Sequence, residues 1–419
     1  MERDIMKALV LCGGIPQIAL IEELKKRGIF VILADMNPNV VARPYADQFF
    51  PTSVMDVEAI KKLAQTEAVD FVITVCADQV LLVQAEVSEK LGLPCYIDLQ
   101  TARTVSSKEL MKKIFVENGI PTSDYIISSE YNEDELAHLH FPLIVKPVDS
   151  YSSRGVRKVF NFQELKDAFE NAVEISRTNT AIIEEFVDGE ELTVDIYVEN
   201  GDPIILSVSN IDKIPNNDKF VICRTRYPAR ISKELEQKIY NAARRIAQAF
   251  KLSNSPMLVQ MIVKGEDISI VEFCARTGGG DKFKLIKDVS GFDVVKAVVD
   301  LTLGKLPHVM KKTHDPHFII NEFLYTRPGV LDHFEGLEEL AKRKVIDEYY
   351  LLKPSGTKCG GISSSGDRVA YITVSSTDES DLLLKHKIAA DTVKAVDANG
   401  VDLLRHDIMS LPKACDTFK

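Results

Sequence analysis

The sequence is poor in the features by which several protein classes are recognised. Its seven cysteines (Cys12, Cys76, Cys95, Cys223, Cys274, Cys359 and Cys415) are scattered, odd in number and free of C-x-x-C spacing. That pattern argues against a zinc site and a disulfide framework, and fits reduced thiols in a cytoplasmic protein. No apolar run approaches the length needed to cross a bilayer, so no membrane partner is expected. The short run in MERDIMKALVLCGG reads as a buried strand, without a cleavage signature behind it. Basic residues are outnumbered, 51 Lys and Arg against 62 Asp and Glu, for a net charge of -11. With no basic patch in view, a nucleic-acid partner is not expected, although a local site can still take an anionic substrate. Low-complexity tracts, heptads and fixed-period repeats are also missing. What remains is a 419-residue chain, 45% hydrophobic and 27% charged. Those values suit a soluble globular enzyme of about two to four domains.

Residues 7–105 alternate strand and helix: KALVLCGG, PQIALIEELKKRG, FVILADMNP, DVEAIKKLAQTEA, VDFVITVCAD and QVLLVQAEVSEKLG. This spacing predicts βαβ units on a parallel sheet. Ligands bind such sheets at the carboxyl ends of strands, which makes Gly13, Gly14, Asp35 and Asp78 candidates to face a cleft. Gly13–Gly14 with Asp35 is the outline of a dinucleotide site, but G-x-G-x-x-G is missing, and a tight turn is the plainer reading. Next, TVSSKELMKKIFVENGIP predicts a helix with a capping box from Ser106 to Glu109 and a stop at Gly119.

The middle of the chain mixes strands and helices. FPLIVKPVDSYSSRGVRKV reads as strand, small-residue loop and strand, followed by the helix NFQELKDAFENAVEIS and the strand TAIIEEFV. A hairpin, EELTVDIYVENGDPIILSVS, leads into a stretch expected to be irregular as far as Pro228, then the helix SKELEQKIYNAARRIAQAFKL. MLVQMIVKGEDISI predicts a second hairpin turning at Lys264–Asp267, whose outgoing strand runs into VEFCARTGGG. From about Phe318 the chain is rich in short strands and Gly/Ser turns, as in a small β-rich cap. The expected divisions are 1–105, 106–317 (with a lid at about 118–187) and 318–419.

The polar residues Lys108, Lys146, Arg154, Glu184, Glu191, Gln260, Glu272 and Arg276, in that order and setting, resemble the ATP-grasp superfamily over roughly residues 1–310. LIVKPVDSYSSRGV is similar to its strand, lysine and mobile loop, IIEEFVDGEELTVD to its adenine hinge and ribose-binding acid, and VQMIVKGEDISIVEFCAR to its paired magnesium positions. The fold implied is α/β and α+β, an ATP-grasp fold with an N-terminal parallel-sheet domain and a C-terminal β-rich section.

The resemblance implies that Lys108, Lys146, Ser153 and Gly155 contact ATP phosphates, with Arg154 lending charge as the loop closes. It implies that Glu184 and the main chain of Glu185 and Val187 read the adenine edge, and that Glu191 holds the ribose. Gln260 and Glu272 would hold Mg2+, or Mn2+ in its place. Gln260 stands where an acid is frequent, and Cys274 stands where many members carry asparagine, which removes a hard ligand.

The chemistry of these residue types agrees. A polyphosphate needs cations and backbone N–H donors, and Lys146 before a Ser/Gly loop supplies both. Magnesium needs only one or two protein oxygens beside the phosphates. The fork of Arg276 can hold a carboxylate and then an oxyanion, and Gly278–Gly280 let backbone approach a substrate.

The implied reaction activates a small-molecule carboxylate as an acyl phosphate for attack by an amine, releasing ADP and phosphate. Amino-acid or peptide ligation leads; a carboxylase or a formyl- or carbamoyl-phosphate-type enzyme is the alternative. Outside the enzyme class stands a nucleotide-binding module without turnover. A homodimer is the expected assembly. Secondary candidates are Lys213, Lys219, Arg224 and Arg226 as contacts to an acidic substrate or the lid, and His314 with His317, for which a solvated turn is the simpler account.

Overall fold

The alternating apolar segments of the first hundred residues build a parallel sheet. The computed structural model describes residues 5–149, 154–215, 220–310 and 317–410. Strands β1 (Lys7–Leu11), β2 (Phe30–Ala34), β3 (Gln48–Phe50) and β4 (Phe71–Ile73) lie in the order β3-β2-β1-β4, all parallel. Side chains alternate between the two faces. Ala8, Val10, Val31 and Leu33 pack with Leu20, Ile21 and Leu24 of helix α1 (Ile15–Lys26). Leu9, Leu11, Ile32 and Ala34 pack with Ile60 of α2 (Val57–Thr66) and with Val83 and Val87 of α3 (Asp78–Leu91). Helix α3 stops at Gly92, in the left-handed region at φ 66°.

Two short helices, α4 (Leu99–Ser106) and α5 (Lys108–Glu117), follow. The expected Ser106 cap is one residue early: Ser106 ends α4, and Ser107 caps α5 by accepting from the Leu110 amide. Two adjacent serines offer the same side chain, and the end of α4, which the sequence did not announce, decides between them.

A four-stranded antiparallel sheet comes next, β5 (Tyr125–Ser128), β6 (Leu143–Pro147), β7 (Arg157–Val159) and β8 (Ala181–Glu185), in the order β5-β8-β6-β7. Leu165, Phe169 and Ala172 of α6 (Phe162–Ile175) cover Leu143, Val145 and Ile183.

The largest sheet begins with β9 (Glu190–Glu199), β10 (Asp202–Lys213) and β11 (Ile222–Tyr227), then α7 (Lys233–Ala249), β12 (Ser255–Lys264) and β13 (Asp267–Cys274). Helices α8 (Lys282–Ser290) and α9 (Val294–Thr302), unforeseen in the sequence, precede β14 (Phe318–Leu324). Short strands β15 (Gly329–Val330), β16 (His333–Glu335), β18 (Lys358–Cys359) and β20 (Lys394–Val396) form two ribbons, β15 with β18 and β16 with β20. Around them lie α10 (Leu337–Lys342), β17 (Glu348–Leu351), β19 (Ala370–Ser376), α11 (Glu379–Thr392) and α12 (His406–Met409).

Eight strands run in the order β13-β12-β9-β10-β11-β14-β19-β17. Two expectations change here. The stretch before Pro228 is not irregular throughout, because β10 continues to Lys213 and pairs with β11 through Asn210↔Arg226 and Ile211↔Thr225. Its polar residues hid it: Arg226 is bonded to Asp212 across the pair at 2.8 and 2.9 Å, and Arg224 is buried on Glu322, so the strand shows no plain apolar alternation. The C-terminal β-rich section is also no detached cap. β14, β19 and β17 prolong the large sheet, while Leu382 and Ala389 of α11 pack with Ile320, Ile372 and Val374. Among the described residues, no helix is long and apolar enough to cross a membrane.

Candidate active site

A cleft of about 680 Å³ opens where the parallel sheet, the β5–β8 sheet and the large sheet meet. Lys108, Lys146, Glu184, Glu185, Val187, Glu191, Gln260, Glu272 and Arg276 all line it. The sequence-derived set is therefore largely gathered in one place. Arg154 and Gly155 lie in the turn before β7, outside the lining; Gly155, at φ 76°, packs against Pro147 and Ile175. Ser153 lies outside the described residues, as do Lys219 and His314.

The β12–β13 hairpin turns at Gly265, φ 62°, and pairs Gln260 directly with Glu272. Paired residues project to the same face. The register shifts between Gln260 and Met261, because Val271 is an extra residue on β13. Lys108, first in α5, brings its Nζ to 3.7 Å from Glu272 Oε2. The two oxygen donors suit a magnesium ion that takes its remaining ligands from water and phosphate. Among the described residues, no group of three or more His, Cys, Asp or Glu could hold a metal by itself.

Glu184 lies between two lysines. Its Oε2 takes Lys112 Nζ at 2.9 Å and Ser123 Oγ at 3.3 Å, while Oε1 pairs with Lys146. Burial alone would raise this carboxyl, but Lys146 and Lys112 outweigh it and hold it at about 2. Burial pushes the Lys112 ammonium down, against the pull of Glu184. Sequence reasoning missed Lys112. The available signal was its place one helical turn after Lys108, on the face that also buries Met111 and Phe115. Beside this cluster the cleft wall is apolar, with Ile144, Val156, Phe186, Phe220, Leu258 and Ile270, a slot fit for a flat ring. Glu191 pairs with Lys213, one of the secondary candidates.

Arg276 follows β13 and is engaged on all three nitrogens. Nε and Nη2 donate to Asp78, the first residue of α3, and Nη1 donates to the Thr277 carbonyl at 2.6 Å. The Cys274 thiol also bonds Asp78. Burial works to raise the Asp78 carboxyl, and the guanidinium overrides it, leaving the group below its ordinary value.

Other sequence candidates have structural employment. Arg224 is buried on Glu322, with Nε to Oε2 at 2.9 Å and Nη2 to Oε1 at 3.2 Å, and does not line the cleft. His386 Nε2 meets the same carboxylate at 2.8 Å. Arg226 is held by Asp212. Asp35 accepts the amides of Gly13 and Asn37, each at 2.9 Å, and a side chain at Gly13 would meet Val40 at 2.2 Å. Gly13 is thus packed too closely for a side chain, and Asp35 serves to hold the turn.

Residues 139–284 match the family model of the ATP-grasp domain, and residues 322–397 match that of the L-amino acid ligase C-terminal domain 2. The carbamoyl phosphate synthase large chain of Thermoanaerobacter sp. (strain X514) is 28% identical over 214 residues, 50% of this chain and 19% of that one. The formate-dependent phosphoribosylglycinamide formyltransferase of Shewanella frigidimarina is 27% identical over 314 residues, 72% of this chain and 76% of that one. This chain spans about a fifth of the length of the synthase it matches. The crystal structure of L-amino acid ligase from Bacillus licheniformis superposes with a TM-score of 0.79 at 19% identity, covering 94% of this chain and 99% of that one, a likeness of fold.

Proposed function

We propose that this chain, a member of the ATP-grasp superfamily, is an ATP-dependent ligase that joins a carboxylate to an amine, with amino-acid or peptide ligation as the subclass. The observation that carries the reading is one cleft holding Lys108 and Lys146, the oxygen pair Gln260–Glu272, and the Arg276 guanidinium.

The chemistry runs in two steps. A carboxylate oxygen attacks the γ-phosphorus of ATP, the bond to the β-phosphate oxygen breaks, and ADP leaves. The amine nitrogen then attacks the acyl carbon, phosphate leaves, and the nitrogen gives up a proton. Lys146 and Lys108 offset the phosphate charge and hold the chain of phosphates in line. Phe186 and its apolar neighbours stack on the base, beside the main chain of Glu185 and Val187. Glu191 receives the ribose hydroxyls. Gln260 and Glu272 would hold Mg2+, which when bound neutralises charge on the phosphates. Glu184 serves chiefly to hold Lys146 and Lys112. Arg276 stabilises the negative oxygens of the acyl centre.

A second reading, activation of a one-carbon acid, is favoured by the match to the formate-dependent formyltransferase over most of both chains.

Nucleotide product analysis with ATP, Mg2+ and pools of amino acids, small carboxylates and amines tests both. ADP and phosphate that appear only with particular acids and amines support ligation, and the active pool separates the two readings. AMP and pyrophosphate would mean adenylation and would overturn the mechanism. Arg276→Ala is expected to abolish turnover while ATP binding persists; lost ATP affinity would put Arg276 on the nucleotide.

A further inference from the structure

A second cavity, of about 980 Å³, lies between the loops that follow β1 and β2 and the C-terminal section. It shares Gly280, Phe323, Ser365 and Arg368 with the cleft, so the two spaces join there. Its volume is at the upper end of the range of about 300–1,000 Å³ for small-molecule sites. The walls are largely apolar, with Ile15, Val40, Leu331, Leu337, Tyr349 and Leu351. Val41 and Leu351, both in the lining, are 41% and 45% exposed, apolar surface that a bound apolar group would take out of water.

Two polar groups at the junction lack partners that their neighbours have. The other cations of the cleft each meet a carboxylate: Lys108 with Glu272, Lys146 with Glu184, Lys213 with Glu191, Arg276 with Asp78 and Lys282 with Asp195. Arg368 meets none among the described residues. Its guanidinium lies over the Phe323 ring, 3.6 Å from the centroid, and is fixed by Nε to the Tyr325 hydroxyl at 3.1 Å and by Nη2 to the Ile222 carbonyl at 3.4 Å. Both N–H groups of Nη1 and one of Nη2 have no partner among the described residues. Tyr371, the cross-strand partner of Phe323, is 2% exposed, lines the second cavity, and has a hydroxyl without a partner. Arg368 and Tyr371 thus flank one ring, with N–H and O–H groups left to donate.

An unpaired guanidinium near an unpaired hydroxyl is a seat for an oxyanion. On the ligase reading the first cleft is filled by nucleotide, metal and acid, and the amine needs a place beside it. We propose that the second cavity is the site of the amine substrate, with Arg368 and Tyr371 holding an oxyanion of that substrate at the junction and its apolar body lying along the cavity. The inference rests on the ligase reading and adds to it a place for the second substrate and a limit on its chemistry. Ammonia and small uncharged amines lack both handles and are excluded. Gly280, in the loop that follows Arg276, keeps the way from the junction to the acyl centre open, since a Cβ there would meet no atom within 4 Å.

The test measures amide product of the full chain by mass spectrometry, with ATP, Mg2+ and the acid that nucleotide product analysis identifies. The amines offered are L-phenylalanine, its phosphonate analogue, phenethylamine and glycine. Carboxylate and phosphonate present the same oxyanion chemistry, and the better of the two names the group. That amine should exceed phenethylamine in kcat/KM by at least about tenfold, the scale of one charged hydrogen bond. L-phenylalanine should exceed glycine by a like factor, the scale of apolar discrimination in a pocket. Arg368→Met should bring the anionic amine level with phenethylamine, mainly through a higher KM, and Tyr371→Phe should narrow the gap in the same direction. Leu351→Glu should narrow the preference for L-phenylalanine over glycine. Equal use of the anionic amines and phenethylamine overturns the proposal and leaves the ligase reading intact, as does a ratio that survives both Arg368→Met and Tyr371→Phe. Absence of amide with every amine overturns both. If Arg368→Met fails to fold, as judged by circular dichroism, Tyr371→Phe, which removes a single oxygen, decides.

Discussion

Gln260 is the direct cross-strand partner of Glu272, and both face the cleft beside the bulge at Val271. The register brings the two side chains together and neither is buried, so removing one charge should alter metal use without loosening the fold. Glu272→Gln is expected to lower ADP formation by at least about 100-fold, on the scale of lost electrostatic stabilisation of a transition state. It should also raise the Mg2+ concentration for half-maximal rate, with the unfolding midpoint unchanged. An unaltered Mg2+ titration would take Glu272 off the metal.

Lys146, next to last in β6, reaches Glu184 in the cleft lining. A phosphate arriving there gains a charged hydrogen bond, worth about 1.5–3 kcal/mol, or roughly tenfold to a hundredfold in affinity. Lys146→Ala should weaken ATP binding by that factor in calorimetry. Unchanged affinity would mean that the phosphates lie elsewhere.

Arg224 and Glu322 are both nearly inaccessible, at 2% and 0%, and Arg224 Nη2 also donates to the Ile408 carbonyl at 2.6 Å, tying the C-terminal helix to the sheet. Removing Arg224 leaves the buried Glu322 carboxylate with His386 as its remaining partner, so the cost is at most that of a stranded buried charge, about 3–5 kcal/mol. Arg224→Ala should show that loss in urea denaturation. An unfolding midpoint like the wild type, with turnover lost, would restore Arg224 to the substrate list.

Local pattern carried the sequence reading a long way. The apolar runs around Leu9, Ile32 and Val72 announced a sheet buried on both faces, and the turn at Gly265 was enough to put Gln260 and Glu272 on facing arms. The reading failed where a residue's role depends on a distant partner. Of the adjacent lysines in α5, Lys112 lies on the face that buries Met111 and Phe115, but its partner Glu184 is far off in sequence, and nothing near position 112 names it. Arg276 looked like a solitary fork until α3 delivered Asp78 to it. β11 was obscured for the same reason, since its arginines are neutralised by Asp212 and Glu322 from neighbouring strands.

Asp281, directly after the three glycines, gives a pH dependence of definite sign. It is 4% exposed, accepts from Asn321 Nδ2 at 3.1 Å and Thr373 Oγ1 at 3.0 Å, and burial pushes its carboxyl up to about 6 from 3.8. A carboxyl raised on folding binds its proton more tightly in the native state. Its contribution to stability is therefore fully present below about pH 4 and is lost as pH rises through about 6, the reverse of an ion-paired acid. A neutral amide of the same shape escapes that loss, because its oxygen can accept from Asn321 and its NH2 can donate to the Thr373 hydroxyl. Asp281→Asn should gain about 1–3 kcal/mol in urea denaturation at pH 7.5, the free energy equivalent of the shift, and nothing at pH 3.5. A gain of equal size at both pH values would trace the effect to packing, and a loss at pH 7.5 would mean that the charged carboxylate is what the native state requires.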